Sequence, residues 1–174
     1  WHRDWKDNFP KEWQEVVHLS DDGEKHIADV KTPNGLVVEF QHSAISAEEK
    51  LSRENFYKDM IWVVDGRRLK HDFSRFKNDN PEFRTWPNNK IQKIRYAEFV
   101  FPKLWLGRIV PVIFDWGYGP EPGSYTGNPI LRPLICLLPQ YDEYVAADCF
   151  SISRSSLTKM VNDKQKLIIP NVKT

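Results

Sequence analysis

The sequence predicts an α/β domain with a mixed β-sheet, and three observations support this prediction. Three short segments rich in β-branched residues, with roughly alternating polarity, follow one another at 13–20, 24–32 and 36–42. A helix is indicated at 46–58, and a continuous apolar segment, 60–65, follows it directly. A meander followed by a helix and a buried strand requires both antiparallel and parallel pairing within one sheet.

The N-terminal elements carry recognisable end signals. Residues 1–9 are predicted to end a helix, because a residue that precedes a proline, here Pro10, disfavours the α conformation. Ser46 and Glu49 have the spacing of a capping box. In that motif the Ser46 hydroxyl accepts from the amide of Glu49 while the Glu49 carboxylate reaches back. The second helix is therefore expected to start at Ser46.

The C-terminal part is also predicted to contain strands. They are expected at 108–116, 131–138 and 144–153. A loop rich in glycine and proline, 117–129, separates the first two of them. Ser153 or Ser155 is expected to cap a short helix that runs to residue 161.

The chain has 174 residues, the length of one domain, and its charge divides it into three parts. Residues 1–66 carry a net charge of −6 and form the predicted core. Residues 67–103 carry +6, lack clean periodicity and are interpreted as a basic insertion or a helical excursion. Residues 104–174 carry +1 and are expected to complete the same domain as a β-rich C-terminal extension. This division suits a protein that gathers cations at one place and a polyanion at another, although composition alone favours solvated loop charge.

The composition excludes several classes of protein. No apolar segment approaches the ~20 residues that a bilayer span requires, so no membrane partner is expected. Two cysteines, Cys136 and Cys149, are too few for a disulfide framework, and their strand-like surroundings predict that both are buried. No signal segment is recognisable at the N-terminus, so the cytoplasm is the expected compartment.

The two turns of the meander predict how its strands pair. The segment 32–36, TPNGL, suits a three-residue hairpin loop with glycine in the left-handed conformation, which places Asp29 opposite Glu39. The segment 20–24 has the same form and places Glu15 opposite Asp29. The three carboxylates are therefore expected to lie in one row on one face of the sheet. A slip of one residue in either pairing would remove this row.

Directly opposed carboxylates repel one another unless a cation lies between them. Mg²⁺ or Mn²⁺ is the predicted cation, because a hard divalent ion binds one or two carboxylates and keeps waters that leave room for a phosphate oxygen. Alternation places Gln41 on the face of Glu39 and Lys31 on the face of Asp29, where both would reach the water or the phosphate. The alternative is an exposed sheet face decorated by acids, with Gln41 satisfying backbone groups.

A series of short motifs resembles a known family. It comprises HIADV at 26–30, VEFQHSAIS at 38–46, Arg53 with Tyr57, and IWVV at 61–64. Over residues 1–66 this pattern resembles the nuclease domain of CoiA-like competence proteins, which belong to the PD-(D/E)XK nuclease superfamily. His2 and Lys6 also resemble the histidine and lysine of that family's N-terminal helix.

The resemblance implies a core of helix, three antiparallel strands, helix and strand that acts on DNA. It also implies a metal ion held by Asp29, Glu39 and the carbonyl of Phe40. Gln41 stands where the superfamily usually has lysine, so its amide would orient the water while the metal supplies more of the acidification. The superfamily often carries a further acid on its first helix, and Glu15 is offered in its place on geometric grounds alone.

Several polar residues are candidates for contacts with DNA. They are His2 and Lys6 of the first helix, Ser43 of the central motif, Arg53 of the second helix, and Arg67, Arg68 and Lys70 after the fourth strand. Phe73 and Phe76 alternate with basic residues in this last segment, which is typical of a groove where rings stack on unpaired bases. The plainer alternatives are an exposed helix end, stacking of Arg53 on Tyr57, and a solvated basic surface.

The sequence thus predicts a metal-dependent deoxyribonuclease that hydrolyses phosphodiester bonds, with Asp29, Glu39, Gln41 and Lys31 as its catalytic residues. Two alternatives stay open. The first is a catalytically silent nuclease-like domain that binds DNA or a protein partner in competence or phage defence. The second is a hydrolase of another substrate class that uses the same carboxylates.

Overall fold

The computed structural model describes residues 1–19, 23, 25–68, 72–80, 90–107, 109–120, 129–140, 146–164, 166–167 and 169. This part of the chain has the predicted α/β fold, with an open mixed sheet of eight strands. The helices are α1 (His2–Lys6), α2 (Ala47–Tyr57), α3 (Asp72–Asp79), α4 (Ala97–Val100) and α5 (Arg154–Lys164). The strands are β1 (Gln14–Leu19), β2 (Lys25–Lys31), β3 (Val37–Gln41), β4 (Met60–Asp65), β5 (Gln92–Arg95), β6 (Val112–Asp115), β7 (Tyr118–Pro120), β8 (Pro129–Leu131), β9 (Leu134–Leu137) and β10 (Ala146–Ile152). None of the described helices has the length and apolarity needed to cross a bilayer.

The strands of the main sheet lie in the order β1-β2-β3-β4-β6-β9-β10-β5. Strands β3, β4 and β6 are parallel, and all other neighbours in the sheet are antiparallel. The parallel strands therefore end side by side, at Gln41, Asp65 and Asp115. This carboxyl edge is where open α/β sheets place their ligands. Strands β7 and β8 form a separate two-stranded sheet.

Alternation along β4 separates two hydrophobic cores, one on each face of the sheet. Ile61 and Val63 pack with Trp5 and Phe9 beneath α1, and α5 contributes to the same core. The other residues of β4 pack with α3, α4 and the end of α2. Helices α1 and α2 thus lie on opposite faces, and a site at the edge between them receives side chains from both.

The predicted register of the meander is confirmed. In the first pair, Leu19 faces Lys25 and Gln14 faces Val30, and in the second pair Lys31 faces Val37. The turn before β3 has the predicted form, because Gly35 has φ +95° and its amide donates to the Thr32 carbonyl at 2.9 Å. Continued from these pairs, the register sets Glu15 level with Asp29 and Asp29 level with Glu39. The turn predicted at 20–24 lies outside the described residues, apart from Gly23.

The cap predicted for α2 is present in part. The Ser46 hydroxyl accepts from the amide of Glu49 at 3.1 Å, as predicted. The Glu49 carboxylate does not complete the capping box, because it binds Arg53 Nε at 2.7 Å instead. An ion pair one turn along the helix is therefore formed in place of the second cap contact.

Helix α2 is fixed to the sheet by a buried ion pair rather than by an apolar stripe. Lys50 and Glu54 are 4% and 1% exposed, and their side chains lie 2.8 Å apart. Lys50 Nζ also donates to the carbonyl of Gly107, and Trp62 Nε1 donates to Glu54 at 3.0 Å. With both charges paired and hydrogen-bonded, this anchor orients α2 so that Arg53 reaches the sheet.

The segment 67–103 contains α3, β5 and α4, and β5 closes the far edge of the sheet against β10. The prediction that Phe73 and Phe76 stack on bases is wrong, because both rings are buried against Trp116. Their side chains complete the core beneath α3 instead. Lys70 lies outside the described residues.

The C-terminal predictions are confirmed where the structure describes them. Strands β6, β9 and β10 lie within the three predicted segments, and Cys136 and Cys149 are buried in the core as predicted. Ser153 caps α5, since its hydroxyl accepts from the amide of Ser156 at 3.0 Å. Strands β7 and β8 were not predicted, because the sequence around them was interpreted as a loop.

Candidate functional site

The meander brings Asp29 and Glu39 to the place where β2 and β3 separate. The regular pairing of the two strands includes Val30 with Val38, and beyond it the amide of Phe40 donates to Asp29 Oδ2 at 2.8 Å. The Asp29 carboxylate here accepts the hydrogen bond that a backbone carbonyl would accept in a regular sheet. It holds the two strands together but interrupts their backbone hydrogen bonds. The opening lies at the carboxyl edge of the sheet.

Strand β2 also changes face at this level, whereas β3 alternates regularly between the two cores. His26 packs against Phe56 of α2 at 4.7 Å between ring centroids, whereas Val30, four residues later, packs with Trp5 beneath α1. Regular alternation would place both on one face. Next to Asp29, Glu15 has φ +53°, a conformation that is uncommon for a residue other than glycine.

Asp29 accordingly turns towards α1. Its Oδ1 lies 2.9 Å from His2 Nε2 and 3.9 Å from Lys6 Nζ. The structure therefore brings the predicted residues His2 and Lys6 together with Asp29. The predicted row of three carboxylates is not formed, because Glu15 points to solvent and pairs with Lys6. Among the described residues no group of three or more acids, histidines or cysteines could hold a metal ion.

Glu39 lies on the other side of this opening, towards α2. Its side chain is 5% exposed, and Oε2 accepts from Arg53 Nη1 at 3.1 Å. Its Oε1 is buried and accepts from no donor in the described part of the chain. A buried carboxylate oxygen without a partner costs free energy, so this oxygen is available to a ligand.

The charge of Glu39 depends on its surroundings. Burial raises the pKa of Glu39 to about 8, and the negative charge of Asp29 adds to the rise, while Arg53 and the backbone amide of Asp29 oppose it. Burial and the Glu39 charge also raise the pKa of Tyr57, whose hydroxyl is buried without a partner among the described residues. The charge of Asp29 thus acts on Glu39, although Asp29 turns towards α1 and Glu39 towards α2, so the prediction that the two carboxylates share one face of the sheet is wrong.

The other predicted catalytic side chains point elsewhere. Lys31 Nζ lies 3.3 Å from His18 Nδ1. The prediction that Lys31 shares the face of Asp29 is therefore wrong. Gln41 Nε2 donates to the carbonyl of Ser43 at 2.8 Å. Gln41 thus satisfies a backbone group, which was the alternative to orienting a water. Because β2 changes face at Asp29, strict alternation assigned Lys31 to the wrong neighbours.

The remaining candidates for DNA contacts are distributed along the carboxyl edge. Arg53 is divided between Glu39 and Glu49, and Arg67 binds Asp65. Arg68 is exposed. A cavity of about 690 Å³ lies beside Asp29 and is lined by residues that are mostly cationic or can become so: His2, Arg3, Lys6, Lys11 and His42, with Trp1, Asp7 and Gln14.

Sequence reasoning missed two buried aspartates at this edge, Asp65 and Asp115. Each ends an apolar run, MIWVVD in β4 and VIFD in β6. An aspartate that directly follows an apolar run occurs at the ends of two buried strands. This repeated pattern could have indicated both residues, since a carboxylate is rarely left in a core without a partner. Asp65 lies 2.8 Å from His42 Nδ1.

No family model matches the chain, and no curated protein or solved structure matches it significantly.

Proposed function

We propose that this protein is a metal-dependent nuclease that hydrolyses DNA phosphodiester bonds, with Asp29 and Glu39 holding Mg²⁺ or Mn²⁺. The observation that carries the proposal is the unpartnered, buried Oε1 of Glu39 beside a second carboxylate that raises its pKa. A divalent cation would satisfy that oxygen and relieve the repulsion. Two carboxylates are enough for Mg²⁺, which keeps most of its waters in protein sites.

The finer fold proposal follows from the same elements. The order α1, β1 to β3, α2, β4, with β3 and β4 parallel, is compatible with a PD-(D/E)XK nuclease-like core. In that arrangement the carbonyl of Phe40 is the third proposed ligand. Glu15 is not proposed as a ligand, because its carboxylate pairs with Lys6.

The residues around the carboxylates have separate roles in this proposal. His2 and Lys6 would hold Asp29 and present positive charge to the phosphate that enters the adjoining cavity. Arg53 would keep Glu39 oriented, and Gln41 would release Ser43 to orient the attacking water. The bound ion would supply charge stabilisation for the phosphoryl oxygens and acidify that water.

One observation favours a second candidate, a catalytically silent domain that binds DNA or a protein partner. Cationic side chains already contact both carboxylates, Lys6 and His2 at Asp29 and Arg53 at Glu39. Such internal pairs can replace a metal ion in neutralising the site. The two candidates share the positively charged cavity and differ in whether the carboxylates are free to bind an ion.

A cleavage assay separates these candidates. Single-stranded, double-stranded and branched DNA are incubated with the protein and Mg²⁺, with Asp29→Asn, Glu39→Gln and the control Glu98→Gln, an exposed acid of α4. We expect cleavage by the wild type and by Glu98→Gln, and a loss of at least about 100-fold in the two site variants. Binding of DNA without cleavage would favour the silent domain, and neither binding nor cleavage would contradict both candidates.

A further inference from the structure

Two buried aspartates end neighbouring parallel strands at the carboxyl edge. Asp65 of β4 and Asp115 of β6 are partners in the strand register and are 3% and 0% exposed. A buried carboxylate destabilises a fold unless it is paired and hydrogen-bonded. Each of the two holds an arginine, and both arginines reach the same cavity.

Arg67 is fixed by Asp65 through a two-pronged contact. Its Nε donates to Asp65 Oδ1 at 2.8 Å and its Nη2 donates to Oδ2 at 2.7 Å. The aliphatic part of the side chain lies across Gly117, where an added Cβ would come within 2.7 Å of Arg67 Cδ. The guanidinium is therefore held in one orientation before any ligand arrives.

Arg154 is fixed in a similar way by Asp115. Its Nη2 donates to Asp115 Oδ1, which also accepts from the amide of Gly117 at 2.8 Å. The other oxygen accepts from the indole nitrogens of Trp1 and Trp5, at 2.7 and 2.9 Å. The Arg154 guanidinium also lies over the Trp5 ring, 5.3 Å from its centroid.

The two arginines line one cavity of about 660 Å³, together with the exposed ring of Tyr118. Their side chains are 44% and 26% exposed, so each guanidinium keeps N–H groups that reach solvent. Lys159 and Asp163, which also line the cavity, pair with one another at 2.8 Å. The arginines are thus the cations on which a ligand would act.

Two oriented guanidinium groups are suited to phosphate. A guanidinium has five N–H donors in a planar fork that matches the oxygens of a phosphate group. Because the buried carboxylates have already restricted both side chains, binding would cost little additional conformational entropy. The exposed ring of Tyr118 adds a surface on which a base stacks.

The position of this cavity relates it to the proposed cleavage site. Trp1 lines both this cavity and the cavity that contains His2 and Lys6. From β3 to β6 is two strand steps, about 10 Å in total. The second cavity therefore lies close enough to the first for one DNA strand to contact both.

We propose that Arg67 and Arg154 bind backbone phosphates of the DNA strand that flank the phosphate at Asp29 and Glu39. The inference rests on the proposed function for the position of the cleaved bond. In this proposal the second cavity binds the part of the same DNA strand that flanks the cleaved bond. Asp65 and Asp115, at the ends of β4 and β6, hold the two arginines in place.

Binding of a fluorescent single-stranded oligonucleotide in EDTA tests the arginines without metal or cleavage. We expect Arg67→Gln and Arg154→Gln each to weaken binding about ten-fold. Each is also expected to reduce the slope of log K against log salt by about 0.7. Lys25→Gln, an exposed cation on the distant hairpin, is the control. Wild-type affinity and slope in both arginine variants would overturn the proposal.

A change in the DNA controls for loss of fold, because Arg154→Gln removes a partner of the buried Asp115 and Arg67→Gln removes the partner of the buried Asp65; circular dichroism first checks that Arg67→Gln is folded. Neutral methylphosphonate groups replace single phosphates along a short oligonucleotide. We expect sensitive positions in the wild type that lose their effect in Arg67→Gln, whereas equal sensitivity in both proteins would contradict the proposal. If DNA binding depends on the arginines but no DNA is cleaved, only the proposed nuclease activity is contradicted. If DNA is cleaved but its binding does not depend on the arginines, only the proposed phosphate site is contradicted.

Discussion

Glu39 is the residue on which the candidate site depends, because its surroundings disfavour the ionised form of its carboxyl group. Burial raises the pKa of Glu39 to about 8, with a further contribution from Asp29. In the unfolded chain the same group titrates near 4.5. The native state therefore binds more protons than the unfolded state between these values, so stability should fall as the pH rises from about 4.5 to 8.

This pH dependence can be measured by urea unfolding at several pH values in EDTA. We expect the free energy of unfolding of Glu39→Gln to exceed that of the wild type increasingly as the pH rises through this window. Above pH 8 the difference should stop growing, because Glu39 is then ionised in both states. A constant difference between the two proteins across the window would show that Glu39 titrates normally.

The two buried aspartates that end β4 and β6 show what a single sequence does not reveal. Asp65 and Asp115 are buried only because the parallel strands place them beside Arg67, Arg154 and the tryptophans of α1. Trp1, Trp5 and Arg154 come from distant parts of the chain, whereas Arg67 lies only two residues after Asp65. Local sequence can mark an acid after an apolar run, but it does not identify the partner that makes its burial tolerable.

At the scale of secondary-structure elements, the hairpin before β3 places the two carboxylates. Gly35 has φ +95°, and a Cβ there would meet nothing within 4 Å. Gly35→Ala should therefore cost about 1–2 kcal/mol from backbone strain alone, as measured by urea unfolding. It should also weaken Mn²⁺ binding, because the turn sets Asp29 level with Glu39.

Gly23→Ala is the matched control for this turn. Gly23 has φ +88° in the preceding hairpin, with equally open surroundings. We expect a similar loss of stability but unchanged Mn²⁺ affinity, since that turn aligns Glu15, whose carboxylate is not part of the proposed site. Equal loss of Mn²⁺ binding in both variants would contradict the role given to the second hairpin.

The strand register was predictable from sequence, whereas the directions of the side chains were not. Turn chemistry around Gly35 is local, so the pairing of Lys31 with Val37 followed from a few residues. The change of face at Asp29 depends on α1 and α2 packing on opposite sides of the sheet. Alternation therefore failed for Lys31 and for the carboxylate of Glu15.

At the scale of the whole molecule, α1 couples the candidate site to the centre of the sheet. Trp5 is 4% exposed, stacks on Phe40 at 5.6 Å and donates to Asp115. We expect Trp5→Ala to lower the free energy of unfolding by about 3–5 kcal/mol. Trp5→Phe keeps an aromatic ring but removes part of the buried indole and its hydrogen bond, so it should cost less, about 1–3 kcal/mol.

Thermal and urea unfolding of both Trp5 variants measure these differences. If α1 frayed independently of the sheet, Trp5→Ala would change stability by only a few tenths of a kcal/mol. That result would contradict the inference that His2 and Lys6 are held over Asp29 by the packing of α1.

The overall organisation was predicted best where the elements follow one another closely. The order from α1 to β4 follows from turn, cap and alternation signals within residues 1–66. The basic segment gave no such signal, and its strand β5 pairs with β10, more than fifty residues later in the chain. Burial of Phe73 and Phe76 against Trp116 has the same long-range origin.

Calorimetric titration with Mn²⁺ tests most directly whether Asp29 and Glu39 hold a divalent ion. We expect the wild type and the control Glu98→Gln to bind one Mn²⁺ per chain, and Asp29→Asn and Glu39→Gln to bind none. Near neutral pH, binding should release about one proton, because Glu39 must ionise to become a ligand. Absence of Mn²⁺ uptake by the folded wild type, or uptake that survives both substitutions, would contradict the account.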